Sequence, residues 1–278
     1  MSRNAVLTRL TAIVLVLAMG AAACSGNSRG ARPTVASTPL TADAVRQIAR
    51  EEVARALASQ AAAASTDCNA GAAVGRALPS VVKVEVRRPG STIVEREGSG
   101  FAALAGGVVL TAAHVVGQAT RVQIVTADGR QIAADVLKAD PTLDLAALRA
   151  ADHSLPPIRW ADPASVPLGE AVRIIGFPLR RPDVTVTGGV FARRIPAADG
   201  RREELWTDAD ADPGNSGGPL LTRCGEALGV VVERQITLAV STIAVGASTA
   251  LPFAVEAAAG SMPAGASPTA RAGASGTP

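Results

Sequence analysis

Residues 214–218 read GNSGG, a serine set among glycines, directly after the alternating acids DADAD at 208–212. A serine hydroxyl is a poor nucleophile until a neighbouring base, usually a histidine, takes its proton. The chain holds two histidines, His114 and His153, and both precede Ser216. An α/β-hydrolase elbow built on G-x-S-x-G places its histidine after the serine, so that use of the pattern lacks a residue here. The order His, Asp, Ser can be filled. His114 stands in LTAAHVV (110–116), expected to lie at the end of a strand where an imidazole projects into a cleft. His153, in RAADHSLPP, reads as a surface-loop residue. Asp144, in DPTLDLAAL, is flanked by Leu143 and Leu145, a setting in which a buried carboxylate needs a partner. Asp135, Asp140 and Asp152 read as solvated turn acids. The chemistry in view is nucleophilic attack by Ser216, with His114 as its base and Asp144 holding the ring.

The elements that must position these residues are mostly strands. From about residue 72 short β-rich runs alternate with Gly and Pro: SVVKVEV (80–86), GVVLTAAHVV (107–116), RVQIVTA (121–127), DLAALRA (144–150), AVRIIGFP (171–178), VTVTGGVFA (184–192), ALGVVVERQI (227–236) and STIAVGAST (241–249). Strands at this spacing with little helix between them predict an all-β barrel or sandwich. LPPIRWADPASVPLGE (155–170) reads as the crossing between two halves, about 72–160 and 166–258, each the size of a six-stranded barrel. Before them, Thr41 and the spacing of Val45, Ile48, Val53, Ala56 and Leu57 predict one helix over 41–66. Residues 24–40 have the composition of a flexible tether and 259–278 that of a disordered tail.

Composition narrows the partners. Aromatic residues make up 2% of the chain and Tyr is absent, which removes stacking platforms for nucleobases. The formal charge of +3 shrinks once residues 1–23 are set aside, because they carry Arg3 and Arg9 and no acid, leaving 25 basic residues against 24 acidic. No nucleic-acid footprint remains. Two distant histidines without a ligand-spaced companion offer no metal site, and no cofactor is expected.

The first 23 residues have the plan of a secretory signal, with a basic start, the apolar run TAIVLVLAMGAAA (11–23) and small residues at the cut. The run is short for a bilayer span, which takes roughly 20 residues. Ala21-Ala22-Ala23 followed by Cys24 resembles a bacterial lipobox, which implies acylation of Cys24; ordinary cleavage after Ala23 is the alternative. Lipid on Cys24 leaves Cys68 and Cys224 as an even pair in an oxidising compartment, a candidate disulfide, against two buried free thiols. The expected location is extracytoplasmic, lipid-anchored at the bacterial membrane or secreted.

GSGF (98–101), LTAAHVV (110–116), DPTLDLAAL (140–148), VRIIGFP (172–178), TDADADPGNSGGPL (207–220) and LPFAV (251–255), in that order, are similar to the trypsin-like serine proteases, and within them to the bacterial HtrA/Deg branch. The resemblance covers roughly residues 72–258. It implies two six-stranded antiparallel β-barrels with the site in the cleft between them. It casts His114 as general base and acid, Asp144 as its orienter and Ser216 as nucleophile. The backbone N–H groups of Gly214 and Ser216 become the oxyanion hole. In trypsin-like enzymes the residue six before the nucleophile lies at the base of the P1 pocket. Here that is Asp210, which would favour Arg or Lys at P1; a solvated acidic loop is the other reading of that run. Strand LGVVVERQ is expected as an edge to which an extended protein or peptide substrate adds as a β-strand. Pairing Cys68 with Cys224 would then staple the N-terminal segment beside the site. The resemblance does not extend to a PDZ domain, since only the tail follows, and the segment from Val86 to Gly98 is short where relatives carry a long loop. The expected function is a secreted, lipid-anchored serine endopeptidase acting through an acyl-enzyme. The rival is a catalytically silent protease fold serving as a binding or scaffold module of the envelope.

Overall fold

The structure, a computed structural model, describes residues 51, 68–88, 90–178, 183–198, 200–234 and 242–260. The expected signal (1–23) with Cys24, the tether, the 41–66 helix apart from Glu51, and the tail from 261 onward lie outside the described residues. Among the described residues twelve strands form two closed six-stranded barrels, both antiparallel. The first contains β1 (Val81–Arg87), β2 (Val94–Leu104), β3 (Val108–Thr111), β4 (Arg121–Thr126), β5 (Gln131–Asp140) and β6 (Leu145–Ala150). The second contains β7 (Ala171–Gly176), β8 (Thr185–Ile195), β9 (Glu204–Thr207), β10 (Pro219–Thr222), β11 (Ala227–Arg234) and β12 (Thr242–Gly246). Around both runs the same neighbour order, 1-2-3-6-5-4 in the first and its counterpart in the second, so closure removes the free edges that short strands would otherwise expose.

Local sequence explains much of this. Val81, Val82, Val84 and Val86 make β1 almost wholly buried, and β3 (VVLT) is buried on both faces. Such β-branched runs suit a pleated surface packed on each side. β8 alternates instead, with Phe191 fully buried and Val186 and Val190 exposed.

The crossing segment ties the barrels together. Trp160 packs against Phe101 with ring centroids 5.5 Å apart, and its Nε1 donates to the Ala103 carbonyl at 3.0 Å. Each such buried ring contributes about 1.5–3 kcal/mol. On its other side the same segment pairs with Ala227 of β11, whose N–H donates to Arg159 at 2.7 Å and whose carbonyl accepts from Ala161 at 2.9 Å.

Three expectations are corrected. GVVLTAAHVV is not one strand: β3 stops at Thr111, and Ala113–Val116 form a helical turn, α2. STIAVGAST likewise divides, β12 ending at Gly246 and helix α3 (Ala247–Gly260) beginning at once. The carboxylate of Glu203, fully buried, accepts from Ser248 N at 3.1 Å and Ser248 Oγ at 2.6 Å, capping the start of α3 from a distant segment. Gly246 makes this possible, because a Cβ there would lie 2.1 Å from the Glu203 carboxylate. Finally, β11 is not an edge strand over its first half: barrel closure places β10 on one flank of Ala227–Val230 and β12 on the other from Gly229 onward. Among the described residues, Glu233 and Arg234 pair with β12 and not with β10.

An unpredicted helix, α1 (Ala70–Ala77), precedes the barrels. Asn69 caps it, Oδ1 accepting from Gly71 N at 2.9 Å and Ala72 N at 3.2 Å. Cys68 is disulfide-bonded to Cys224 in the β10–β11 turn, and Arg76 Nη2 donates to the Cys224 carbonyl at 3.0 Å. Closing a loop of this length stabilises by about 5 kcal/mol in the chain-entropy account. Among the described residues no helix is long and apolar enough to cross a membrane.

Candidate active site

β3 delivers His114. The chain leaves the strand at Ala112, still extended, and turns into α2, which puts the imidazole half exposed at the rim of the first barrel. Gly117 ends the turn at φ 57°, and its missing Cβ leaves room for Arg96, whose Nη1 donates to the His114 carbonyl at 3.2 Å.

Asp144 comes from the turn between β5 and β6. Asp140 organises that turn, Oδ1 accepting from Thr142 N at 2.8 Å and Leu143 N at 3.0 Å. Asp144 itself has φ 54°, the one non-glycine residue with positive φ among the described residues. Holding a side chain in that region costs roughly 1–2 kcal/mol, and such strain persists where the surroundings over-determine it. They do so here: the carboxylate accepts from the His114 backbone N–H at 3.0 Å and faces ring Nδ1 at 2.8 and 3.1 Å. With Nδ1 as the donor, the neutral ring carries its free lone pair on Nε2, the tautomer a general base requires.

Ser216 sits on the loop between β9 and β10, in a frame supplied by the first barrel. Ser99, fully buried on β2, grips that loop twice: its Oγ donates to the Gly214 carbonyl at 2.6 Å and its N–H to the Ser216 carbonyl at 2.8 Å. The same hydroxyl accepts from Phe177 N at 2.9 Å. With these carbonyls engaged, the N–H groups of Gly214 and Ser216 meet no acceptor among the described residues. Gly217, at φ 89°, allows the close approach; a Cβ there would fall 2.1 Å from the Ser99 carbonyl and 2.9 Å from Ala112 N. Gly98 lies against both Val115 and the Ser216 carbonyl. The serine loop is therefore packed onto the strand and turn that carry His114, although no hydrogen bond joins Ser216 to the ring among the described residues.

His114 lines two depressions. One, of about 310 Å³, is bounded by His114, Pro213, Gly214 and the charged run Glu95–Glu97. The other, of about 640 Å³, is bounded by His114, Asp144, Pro141, Val232 and Arg202.

The remaining candidates fall elsewhere. His153 is exposed on the loop after β6. Asp210 is exposed on the β9–β10 loop, its carbonyl accepting from Thr187 Oγ1 at 2.6 Å, and it borders neither depression. Within the same run Asp208 is structural: Oδ1 accepts from Val190 N at 2.6 Å and ties the loop to β8. Cys68 and Cys224 are joined to each other, and neither lines the depressions beside His114. Sequence reasoning missed the role of Ser99, although GSGF marked its place, and it missed Arg202 at the wall of the larger depression.

A family profile described as the trypsin-like peptidase domain matches residues 98–230. The chain is similar to the mitochondrial serine protease HTRA2 of Drosophila willistoni, 38% identical over 172 residues, 56% of this chain and 39% of that protein. It is similar to a probable periplasmic serine endoprotease, DegP-like, of Ectopseudomonas mendocina, 36% identical over 149 residues, 52% of this chain and 31% of that one. Well under half of each of these curated relatives is therefore spanned. Among solved structures, the serine endoprotease from Yersinia pestis superposes with a TM-score of 0.59 at 30% identity, over 70% of this chain and 68% of that one. An HtrA-type protease, AlgW, determined with a tripeptide, gives 0.58 at 26% identity, over 68% and 62%.

Proposed function

The chain belongs to the trypsin-like serine proteases of the HtrA type, and from that premise we propose that it is a serine endopeptidase working through Ser216, His114 and Asp144. One observation carries the reading: His114 is held through Nδ1 by a strained Asp144 at 2.8 Å and lines a depression shared with Pro213 and Gly214 of the serine loop. Nε2 takes the Ser216 proton as Oγ attacks the scissile carbonyl, and Asp144 stabilises the imidazolium that forms. The N–H groups of Gly214 and Ser216 receive the developing oxyanion; each such donor supplies about 2.7–4 kcal/mol in other serine proteases. His114 then returns the proton to the leaving amine, giving an acyl-enzyme, and activates the water that hydrolyses it.

Protein or peptide substrates lie across the cleft, adding as a strand beside Glu233 and Arg234, where β11 has one flank unpaired by β10. Asp210 receives a basic P1 side chain. The protein works outside the cytoplasm, which fits the Cys68–Cys224 disulfide and the periplasmic description of the DegP-like relative. Cys24 carries the lipid anchor; metabolic labelling with palmitate, lost in Cys24→Ala, tests this, and an unlabelled wild type rejects it.

The deciding experiment for the activity is labelling with a fluorophosphonate, wild type against Ser216→Ala. Wild-type labelling that disappears in the variant supports the nucleophile assignment. A folded wild type that takes no label, or a Ser216→Ala that labels equally, rejects it.

A further inference from the structure

The peptide group between Leu143 and Asp144 fixes the left-handed backbone of the acid, because rotating its plane is what changes φ of Asp144. Its carbonyl is taken by a residue from the other barrel: Arg202 Nη1 donates to Leu143 O at 3.1 Å. Arg202 lies just before β9, and its side chain is 17% exposed. Its Nε faces Glu204 Oε1 at 3.4 Å, while Glu204 Oε2 accepts from Trp206 Nε1 at 3.3 Å, so the guanidinium is braced from its own barrel. On the other side of Leu143, the N–H is held by Asp140. The two peptide groups of Leu143 are thus clamped, one from within the turn and one from across the cleft. A flip of the second would relieve Asp144 of its strain, and it would carry the Leu143 carbonyl away from Arg202.

We propose that Arg202 is a positioning residue for Asp144: by binding the Leu143 carbonyl it holds the 143–144 peptide in the orientation that aims the carboxylate at His114. The acid of the first barrel is then completed by the second, so that correct docking of the barrels is a condition for a competent His114–Asp144 pair. A guanidinium suits the task, since it stays charged at every relevant pH and offers donors in a rigid fork, one for Glu204 and another for Leu143. This inference rests on the protease reading for its consequence in turnover, but not for its structural content.

The test compares Arg202→Ala, Arg202→Gln and Arg202→Lys in the full chain, by peptide hydrolysis and by proton NMR of the low-field Nδ1–H signal of His114. Misplacing a catalytic group by about 1 Å can cost on the order of 100-fold. Arg202→Ala and Arg202→Gln, which cannot reach the carbonyl, should lose about 10- to 100-fold in kcat with KM moved far less, and the Nδ1–H signal should vanish or broaden. Arg202→Lys, which can still donate to Leu143, should recover most of both. Loss confined to KM, or a Nδ1–H signal unchanged in Arg202→Ala, overturns the proposal. Should Arg202→Ala fail to fold, the Gln and Lys pair decides: equal signals and rates in the two overturn it. The NMR signal reports the His114–Asp144 pair whether or not the protein turns over substrate. An unlabelled wild type with a signal lost in the Gln variant therefore rejects the protease reading and leaves the positioning role standing.

Discussion

Asp144 holds His114 at two points, taking its backbone N–H on Oδ1 at 3.0 Å and its ring Nδ1 on Oδ2 at 2.8 Å. The ring and the short helix that carries it are thereby fixed by a single carboxylate. Asp144→Asn keeps the size but presents an amide, which favours the wrong ring tautomer. The expected result is a fall in kcat of about 10⁴-fold with the fold intact, read from peptide hydrolysis and circular dichroism.

Asp210 is to be judged by specificity rather than rate. With a peptide library, wild type should prefer Arg or Lys at P1, and Asp210→Ala should lose at least about 10-fold of that preference in kcat/KM, the worth of one charged hydrogen bond. An unchanged P1 profile shows that the acid belongs to the loop, as Asp208 does.

Gly217 cannot be replaced cheaply. An alanine Cβ would meet the Ser99 carbonyl at 2.1 Å and Thr111 Oγ1 at 2.3 Å, on a backbone at φ 89°. Overpacking and conformational strain together should cost about 2–5 kcal/mol, measured by urea unfolding. Activity should fall as well, because the displaced loop carries Ser216.

The Cys68–Cys224 bridge spans 156 residues and fastens the start of α1 to the β10–β11 turn of the second barrel, and neither cysteine lines the depressions beside His114. Replacing both cysteines by serine should lower stability by about 2–5 kcal/mol, seen as a reduced Tm. Peptide hydrolysis at a temperature well below the new Tm should stay close to wild type.

Glu85 sets a pH dependence. Burial acts to raise its carboxyl, but hydrogen bonds from Arg87 and Lys83 outweigh that and hold it below the ordinary carboxylate range. A carboxyl depressed in the folded state contributes stability above its unfolded pKa, about 4.3, and loses it as pH falls through the folded value. Unfolding free energies should therefore decline below about pH 4 in wild type. Glu85→Gln should be less stable at neutral pH and show a shallower acid limb.

The serine among glycines, the histidine upstream of it and an acid between leucines were legible in the chain as candidates, because a nucleophile, a base and an orienter are residue types whose order is written along it. Of these, the structure brings His114 and Asp144 into contact. An all-β fold in two halves was legible in the same way, since valine-rich runs punctuated by Gly and Pro are local signals; the choice of a double barrel over a sandwich came from the family resemblance. Other strands were not. β5 mixes charge and apolar residues and is only half buried, and β2 opens with the charged run VEREG, so neither had a hydrophobic pattern to announce it. What holds the site together was not written locally at all. Ser99 acts on the carbonyls of Gly214 and Ser216, Arg202 on that of Leu143, and Glu203 on the amide of Ser248. Every residue has a carbonyl, and all but proline an amide, so residue type does not mark which of them a distant side chain will find. The left-handed Asp144 belongs to the same class: its φ is set by partners 30 residues upstream and 58 downstream, His114 and Arg202, which only the packed barrels bring within 3.1 Å of its carboxylate and of the peptide before it.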